Sequence, residues 1–264
     1  MEQNQLHNID IHIMNWLEHL DDVIPQLIQD MTTETKMNRF DLVTNVDKQL
    51  QNKFEAFLSE HFPSHQLLGE EKDNDDIHPY EGHLWIMDPI DGTANLVKQQ
   101  EDYCVILAYF ENGEPKLSYI YDYPHDKLYK AIAGEGAYIN HHPLTAPPSL
   151  QLNDAIISFG SQYINEDTSK ALYDSSFSVR HIGSCGLDSI RVIKGQFGAH
   201  INTNPKPWDI AAQFLFAQEL NLEMTQLDGQ PLDYATSGPF IISNKGCYQE
   251  ILNIIKSHGG YHKQ

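Results

Sequence analysis

Residues Trp85 to Asn95 read Trp-Ile-Met-Asp-Pro-Ile-Asp-Gly-Thr-Ala-Asn, and this run constrains the chain more than any other segment. A short apolar stretch ends at Asp88, a Pro/Gly-punctuated turn follows, and Thr93 is suited to begin a helix. Proline presets one backbone angle, and glycine admits conformations that other residues resist. The turn holds two carboxylates, Asp88 and Asp91, with the Ile90 carbonyl between them. Hard oxygen donors on so stiff a corner suit a divalent cation. An Asx turn followed by a helix cap would use the same residues structurally. Their company elsewhere in the chain decides between the two.

With 264 residues the chain can bury a large core, as one domain or as two joined lobes. A net charge of −20, with no Lys/Arg-rich block to offset it, argues against a nucleic-acid partner. An acidic protein with a phosphorylated ligand needs bound cations or focused helix dipoles to attract it. Cys104, Cys185 and Cys247 are scattered without CxxC spacing, as reduced cytosolic thiols would be. The N-terminus lacks a basic region followed by an apolar one, and no stretch approaches the roughly 18 apolar residues of a membrane span. A soluble, cytoplasmic protein with no membrane partner is expected.

Apolar residues at Leu6, Ile9, Ile13, Leu17, Leu20, Ile24 and Leu27/Ile28 recur at helical spacing, so residues 5–30 read as one long amphipathic helix with Pro25 as a kink. Thr32 to Asn38 reads as a mobile loop. Val46, Leu50, Phe54, Phe57 and Leu58 mark a second helix, stopped by Pro63. Strands follow at His83–Met87, Tyr103–Phe110, Lys116–Tyr121, Lys127–Ala133 and Gly136–Ile139, joined as hairpins. The first half is then helices on an antiparallel sheet. His141 to Ser149, with Pro143, Pro147 and Pro148, is the clearest linker. Beyond it, strands at Ala155–Phe159, Phe197–Ile201, Glu223–Gln226 and Phe240–Ser243 interleave with helices near 184–194, 208–220 and 246–257. The expected architecture is an α+β lobe over residues 1–145, then a smaller α/β lobe over 146–264, with a cleft between them.

Three further acidic sites accompany the turn. Glu70 and Glu71 close a short apolar run after Gly69, and Asp47 sits at a helix start in Asp41-Leu-Val-Thr-Asn-Val-Asp47. Asp209 follows Trp208 at the head of an apolar helix. Each has a structural use by itself, as a solvated pair, a dipole-favourable carboxylate or an N-cap. Asp73-Asn74-Asp75-Asp76 lacks the glycine and closing glutamate of a calcium loop and reads as a solvated acidic loop. No GxxxxGK[ST], HExxH or GxSxG motif occurs, which leaves NTPase, zinc protease and serine hydrolase readings without support.

The ordered set DLVTxxD, GEE, WIMDPIDGTxN and WDxAA resembles the inositol monophosphatase family over roughly residues 36 to 212. The resemblance implies a layered αβαβα sandwich and a Mg²⁺-dependent, lithium-sensitive phosphatase. It implies a first metal site of Glu70, Asp88 and the Ile90 carbonyl, and a second of Asp88, Asp91 and Asp209. A third, weaker ion would sit by Glu70, giving two to three Mg²⁺ per site, and Lys36 matches a family lysine on the mobile loop nearby. Asp47 and Thr93 correspond to the pair that positions or deprotonates a metal-bound water. Gly92 and Thr93 would meet the phosphate, Gly183, Ser184, Cys185 and Asn202 the organic part, and Asp91 and Asp209 would bind the substrate as well.

Departures lie outside the phosphate site. Asn202 stands where the family has an acidic residue, Gln213 where it has the glycine after WDxAA, and Glu219-Leu220-Asn221 replaces Glu-Ala-Gly. Inositol monophosphate is the leading substrate by resemblance. NADP 2'-phosphate, fructose-1,6-bisphosphate and 3'-phosphoadenosine 5'-phosphate follow, dual specificity included. A catalytically reduced binding or regulatory relative would lack a metal carboxylate or the Thr/Asp pair, and all are present. The family also implies a homodimer.

Overall fold

In the computed structural model, the described residues are 2–36, 42–160, 162–236 and 238–262. The chain opens with two helices, α1 (Glu2–Glu18) and α2 (Leu20–Gln29). The expected single helix breaks at His19, not at Pro25. His19 Nδ1 lies 2.6 Å from the Asn15 carbonyl, the same oxygen that its own backbone N–H reaches at 3.3 Å. Two groups compete for one acceptor, and the helix ends there. Part of the expected loop is instead a strand. β1 (Thr33–Thr35) pairs antiparallel with β2 (Leu42–Thr44), and Thr32 N–H donates to Asn45 Oδ1 at 2.6 Å. Met37 and Asn38 of that loop, and Asp41 of the Asp-Leu-Val-Thr motif, lie outside the described residues.

Helix α3 (Asn45–His61) and strands β3 (Gln66–Gly69) and β4 (His83–Asp91) come next. Helix α4 (Thr93–Gln99) leads to β5 (Cys104–Glu111), β6 (Glu114–Asp122), β7 (Lys127–Ile132), β8 (Gly136–Ile139) and β9 (His142–Pro143). Strands β3 to β9 form a seven-stranded sheet in sequence order. All its pairs are antiparallel except β3/β4, and the expected linker supplies its last strand, because His142 pairs with Ile139.

After it come β10 (Ile156–Phe159), α5 (Glu166–Ser175), β11 (Ser178–Arg180), α6 (Cys185–Ile193), β12 (Ala199–Asn202), α7 (Pro207–Glu219), β13 (Glu223–Gln226), β14 (Phe240–Ser243) and α8 (Lys245–Ser257). The second sheet is mixed, in the order β11-β10-β12-β14-β13. Neither α5 nor β11 shows in the sequence pattern. Leu172 is the one fully buried apolar residue of α5, and β11 is a three-residue edge strand with nothing fully buried.

Strand alternation builds the layers. Trp85 and Met87 of β4 face a cluster with Ile13 of α1, Ile24 of α2 and Phe54 of α3. Leu84 and Ile86 point the other way, toward Ile190 of α6, Phe216 of α7 and Ile242 of β14. Ile241 of β14 then turns outward to meet Leu172 of α5 and Ile251 of α8. Five layers result: helices, sheet, helices α6 and α7, sheet, helices. This is the expected αβαβα sandwich. Each fully buried large apolar side chain is worth about 1.5–3 kcal/mol, so the alternation, rather than helix propensity, fixes the order of layers. Among the described residues no helix is long and apolar enough to cross a membrane.

Candidate active site

The Asp-Pro-Ile-Asp run is a strand bulge, not a free turn. Asp88 pairs with Ile106 and Asp91 with Cys104, with a register shift between the two pairs. The shift lets Pro89 lie where no ladder N–H is required, and it re-aims both carboxylates. Gly92 then takes φ +94°, and a Cβ there would sit 3.0 Å from the Asp102 carbonyl and 3.2 Å from Ser184 Cβ. Conformation and space both demand glycine at this position. The chain enters α4 at once, with Thr93 as its first residue.

Thr93 Oγ1 lies 2.9 Å from Asp47 Oδ1 and 3.0 Å from the Ile90 carbonyl. Asp47 reaches it because Thr44 caps α3 in a capping box, holding Asp47 Oδ2 by its N–H at 2.9 Å and by its hydroxyl. One oxygen caps the helix and the other faces Thr93. Glu70 extends from the end of β3. A Cβ at Gly69 would lie 2.4 Å from Gln51 Oε1 and displace it from the Glu71 N–H, which it accepts at 2.8 Å. Asn74, expected in a solvated loop, instead clamps that strand end through Gly69 N–H (3.0 Å) and the Gly69 carbonyl (2.8 Å). Lys36 Nζ donates to Glu70 at 2.8 Å and also to Glu71.

Asp209 is the third helical residue of α7, with Lys206 as N-cap, so the simple N-cap use is not what is found. Its Oδ2 accepts the Lys206 N–H at 2.7 Å, and Gln213, one turn on, donates to its carbonyl at 2.6 Å. The head of α6 holds Asp91. Cys185 N–H (3.0 Å), Gly186 N–H (2.7 Å) and the Ser184 hydroxyl all donate to it, and the Cys104 thiol lies 3.4 Å away. Strands β3 and β4 of the first sheet and helices α3, α4, α6 and α7 thereby converge. Carboxylate oxygens of Asp88, Asp91 and Asp209 lie within 4.8 Å of one another.

Their electrostatics explain what the cluster needs. Burial pushes Asp88 well above the usual carboxylate range, and the charges of Glu70, Asp91 and Asp209 push it further. Burial likewise raises Asp91 and Asp47, against the hydrogen bonds that each accepts. Glu70 moves up to about 7, from burial against the opposing pull of Lys36, and Asp209 to about 8, from burial and the charge of Asp91. Among the described residues Asp88 accepts one backbone hydrogen bond, from Ile90 N–H at 3.0 Å. A hydrogen bond to a charged group is worth about 1.5–3 kcal/mol, whereas burying an ion costs several. A cation among these oxygens offsets the difference, and an all-oxygen donor set fits a hard divalent one.

A cleft of about 680 Å³ opens beside the cluster, lined by Glu70, Asp91, Asp209, Gly183, Ser184, Cys185 and Asn202, and by Lys36 at its rim. It thus gathers every expected substrate-binding residue except Gly92 and Thr93, which lie half-buried at the adjoining start of α4. Sequence reasoning missed Asp188 and His200, which also line it, and Ser158 beneath them. Their signal was weak: single polar residues inside apolar runs.

The inositol monophosphatase family model matches residues 5–259. An inositol-1-monophosphatase of Bacillus subtilis is 34% identical over 250 residues, covering 92% of this chain and 94% of that protein. A crystal structure of an IMPase/NADP phosphatase complexed with NADP and Ca²⁺ is 66% identical, with a TM-score of 0.96 and 98% of each chain covered. A dual specific IMPase/NADP phosphatase bound with D-inositol-1-phosphate is 64% identical, with a TM-score of 0.94, covering 98% of this chain and 99% of that one. With a family match across nearly its whole length and a five-layer fold shared with these structures, the chain belongs to the inositol monophosphatase family.

Proposed function

We propose that this protein is a Mg²⁺-dependent phosphomonoesterase that hydrolyses inositol monophosphate, and that the same cleft takes the 2'-phosphate of NADP. The observation that carries the reading is the convergence of Asp88, Asp91 and Asp209 within 4.8 Å, beside the Thr93–Asp47 pair at 2.9 Å. The similar structures hold D-inositol-1-phosphate in one case and NADP with Ca²⁺ in another, which supports both substrates. A cytoplasmic homodimer completes the proposal on family grounds.

Glu70, Asp88 and the Ile90 carbonyl would hold one ion, and Asp88, Asp91 and Asp209 another, with a third beside Glu70. Bound there, Mg²⁺ supplies an acidified water and neutralises charge on the phosphoryl and leaving oxygens. The chain does the rest by positioning. Asp47 Oδ2 is occupied by the cap, so Oδ1 is the acceptor for the Thr93 proton. With its proton so committed, Thr93 Oγ1 keeps a lone pair for a proton of the attacking water. The amides of Gly92 and Thr93, at the start of α4, face the phosphate oxygens.

Phosphate release on inositol monophosphate, NADP, fructose-1,6-bisphosphate and 3'-phosphoadenosine 5'-phosphate, with and without Mg²⁺, tests the reading. Mg²⁺-dependent turnover with the highest kcat/KM on the first two is expected. Turnover confined to the last two would move the substrate assignment, and none on any would refute the enzyme.

A further inference from the structure

Beneath the cleft wall runs a buried chain of hydrogen bonds, Asp188–Ser158–His200–Cys185, none of whose side chains belongs to the metal cluster or the Thr93–Asp47 pair. Asp188 is 1% exposed on α6, Ser158 0% on β10, His200 2% on β12 and Cys185 8% at the head of α6. The proton positions follow from donor counting. Asp188 accepts the N–H groups of Ile182 (3.2 Å) and Gly183 (3.3 Å), with His181 Nδ1 at 3.6 Å. Ser158 Oγ, 2.6 Å from Asp188 Oδ1, therefore donates its one proton there. At its other contact, His200 Nδ1 at 3.2 Å, Ser158 accepts, so the imidazole carries its proton on Nδ1. Burial lowers the pKa of His200 and keeps the ring neutral. Nε2 is then an acceptor whose partner is the Cys185 sulfur at 3.7 Å. A thiol is a weak donor.

His200 and Asn202 are two residues apart on β12, so both point to one face of the strand, and both line the cleft. The Cys185 sulfur, 3.7 Å from His200 Nε2, lines the same cleft. We propose that His200 Nε2 accepts a hydrogen bond from a hydroxyl of the substrate's organic part, which displaces the Cys185 thiol. The imidazole thereby supplies an acceptor on a wall where Asn202 offers an amide rather than a carboxylate. Asp188 and Ser158 act as positioning residues that hold the required tautomer. This inference rests on the cleft being a phosphate-ester site.

The experiment compares inositol monophosphate with phenyl phosphate, which has no hydroxyl, in the wild type and in His200→Leu and His200→Gln, at saturating Mg²⁺. His200→Leu is expected to raise KM for inositol monophosphate roughly 5- to 150-fold, the range for leaving a buried donor unpaired. Its KM for phenyl phosphate should not change. His200→Gln, whose amide oxygen can reach the Nε2 position, should retain most of the inositol affinity. Equal losses on both esters, or no loss on inositol monophosphate, would overturn the proposal. If His200→Leu does not fold, His200→Gln and the imidazole ¹⁵N NMR of the wild type decide: a proton found on Nε2 overturns it. Wild-type inactivity on inositol monophosphate would overturn this proposal, and the phosphatase reading falls with it only if NADP, fructose-1,6-bisphosphate and 3'-phosphoadenosine 5'-phosphate are not hydrolysed either.

Discussion

Asp88 and Asp91 are three residues apart and buried to a similar degree, yet they are built for different tasks. Asp91 is held by the head of α6, with two amides and a hydroxyl donating to it. Asp88 has one backbone donor among the described residues and the charges of Glu70, Asp91 and Asp209 around it. Asp88→Asn removes the carboxylate assigned to both main ions and one source of repulsion. It should lower kcat by about 10²–10³-fold or more, while the metal-free variant melts no lower than metal-free wild type. Turnover at saturating Mg²⁺, together with a thermal melt in EDTA, checks both. Unchanged turnover would refute the bridging role.

At the scale of elements, capping and the proposed catalysis share residues, through different atoms of Asp47. Asp47 closes the capping box of α3, and Asp209 occupies the same third position in α7. For Asp47 the structural use read from the sequence is thus present alongside the proposed functional one. For α3 this makes a prediction. Thr44→Ala should cost about 1 kcal/mol of stability through the lost cap, and kcat should fall as well because Asp47 loses the hydroxyl and the geometry that aim it. Thr44→Ser keeps the hydroxyl and should recover both. A Thr44→Ala enzyme destabilised to that extent but with full kcat would separate the cap from the site. The elements missed in the sequence, β1, β2, β3, β9, α5 and β11, are short or bury little, so no apolar period marks them.

Across the whole molecule, the five layers press acidic side chains from β3, β4 and α7 into one buried volume. In metal-free protein, Glu70 titrates near 7 and Asp209 near 8, both above the unfolded carboxylate range of about 4. Between those limits the folded state holds more protons than the unfolded one. The stability contributed by these groups is complete below about pH 4 and is lost as pH rises through 7 and 8. Bound Mg²⁺ removes that loss. The increase in Tm on adding Mg²⁺ should therefore be larger at pH 8.5 than at pH 6, as followed by scanning calorimetry against an EDTA control. An increase independent of pH would contradict the coupled cluster.

The sequence by itself carried the residues proposed for the site, because the motifs that hold them are short, local and in the order that resembles the family's. Asp88, Asp91, Asp47 and Asp209 were all legible for that reason, and so were the long strands, whose two faces are both buried. Tertiary structure alone decided what lies between distant segments. The bulge that aims Asp88, the grip of α6 on Asp91, and the route from Asp188 through Ser158 to His200 all depend on which layers meet. Ser158 and His200 are 42 residues apart and touch because β10 and β12 are neighbours in the second sheet. No local pattern encodes that contact; burying the apolar faces of two sheets and three helical layers does.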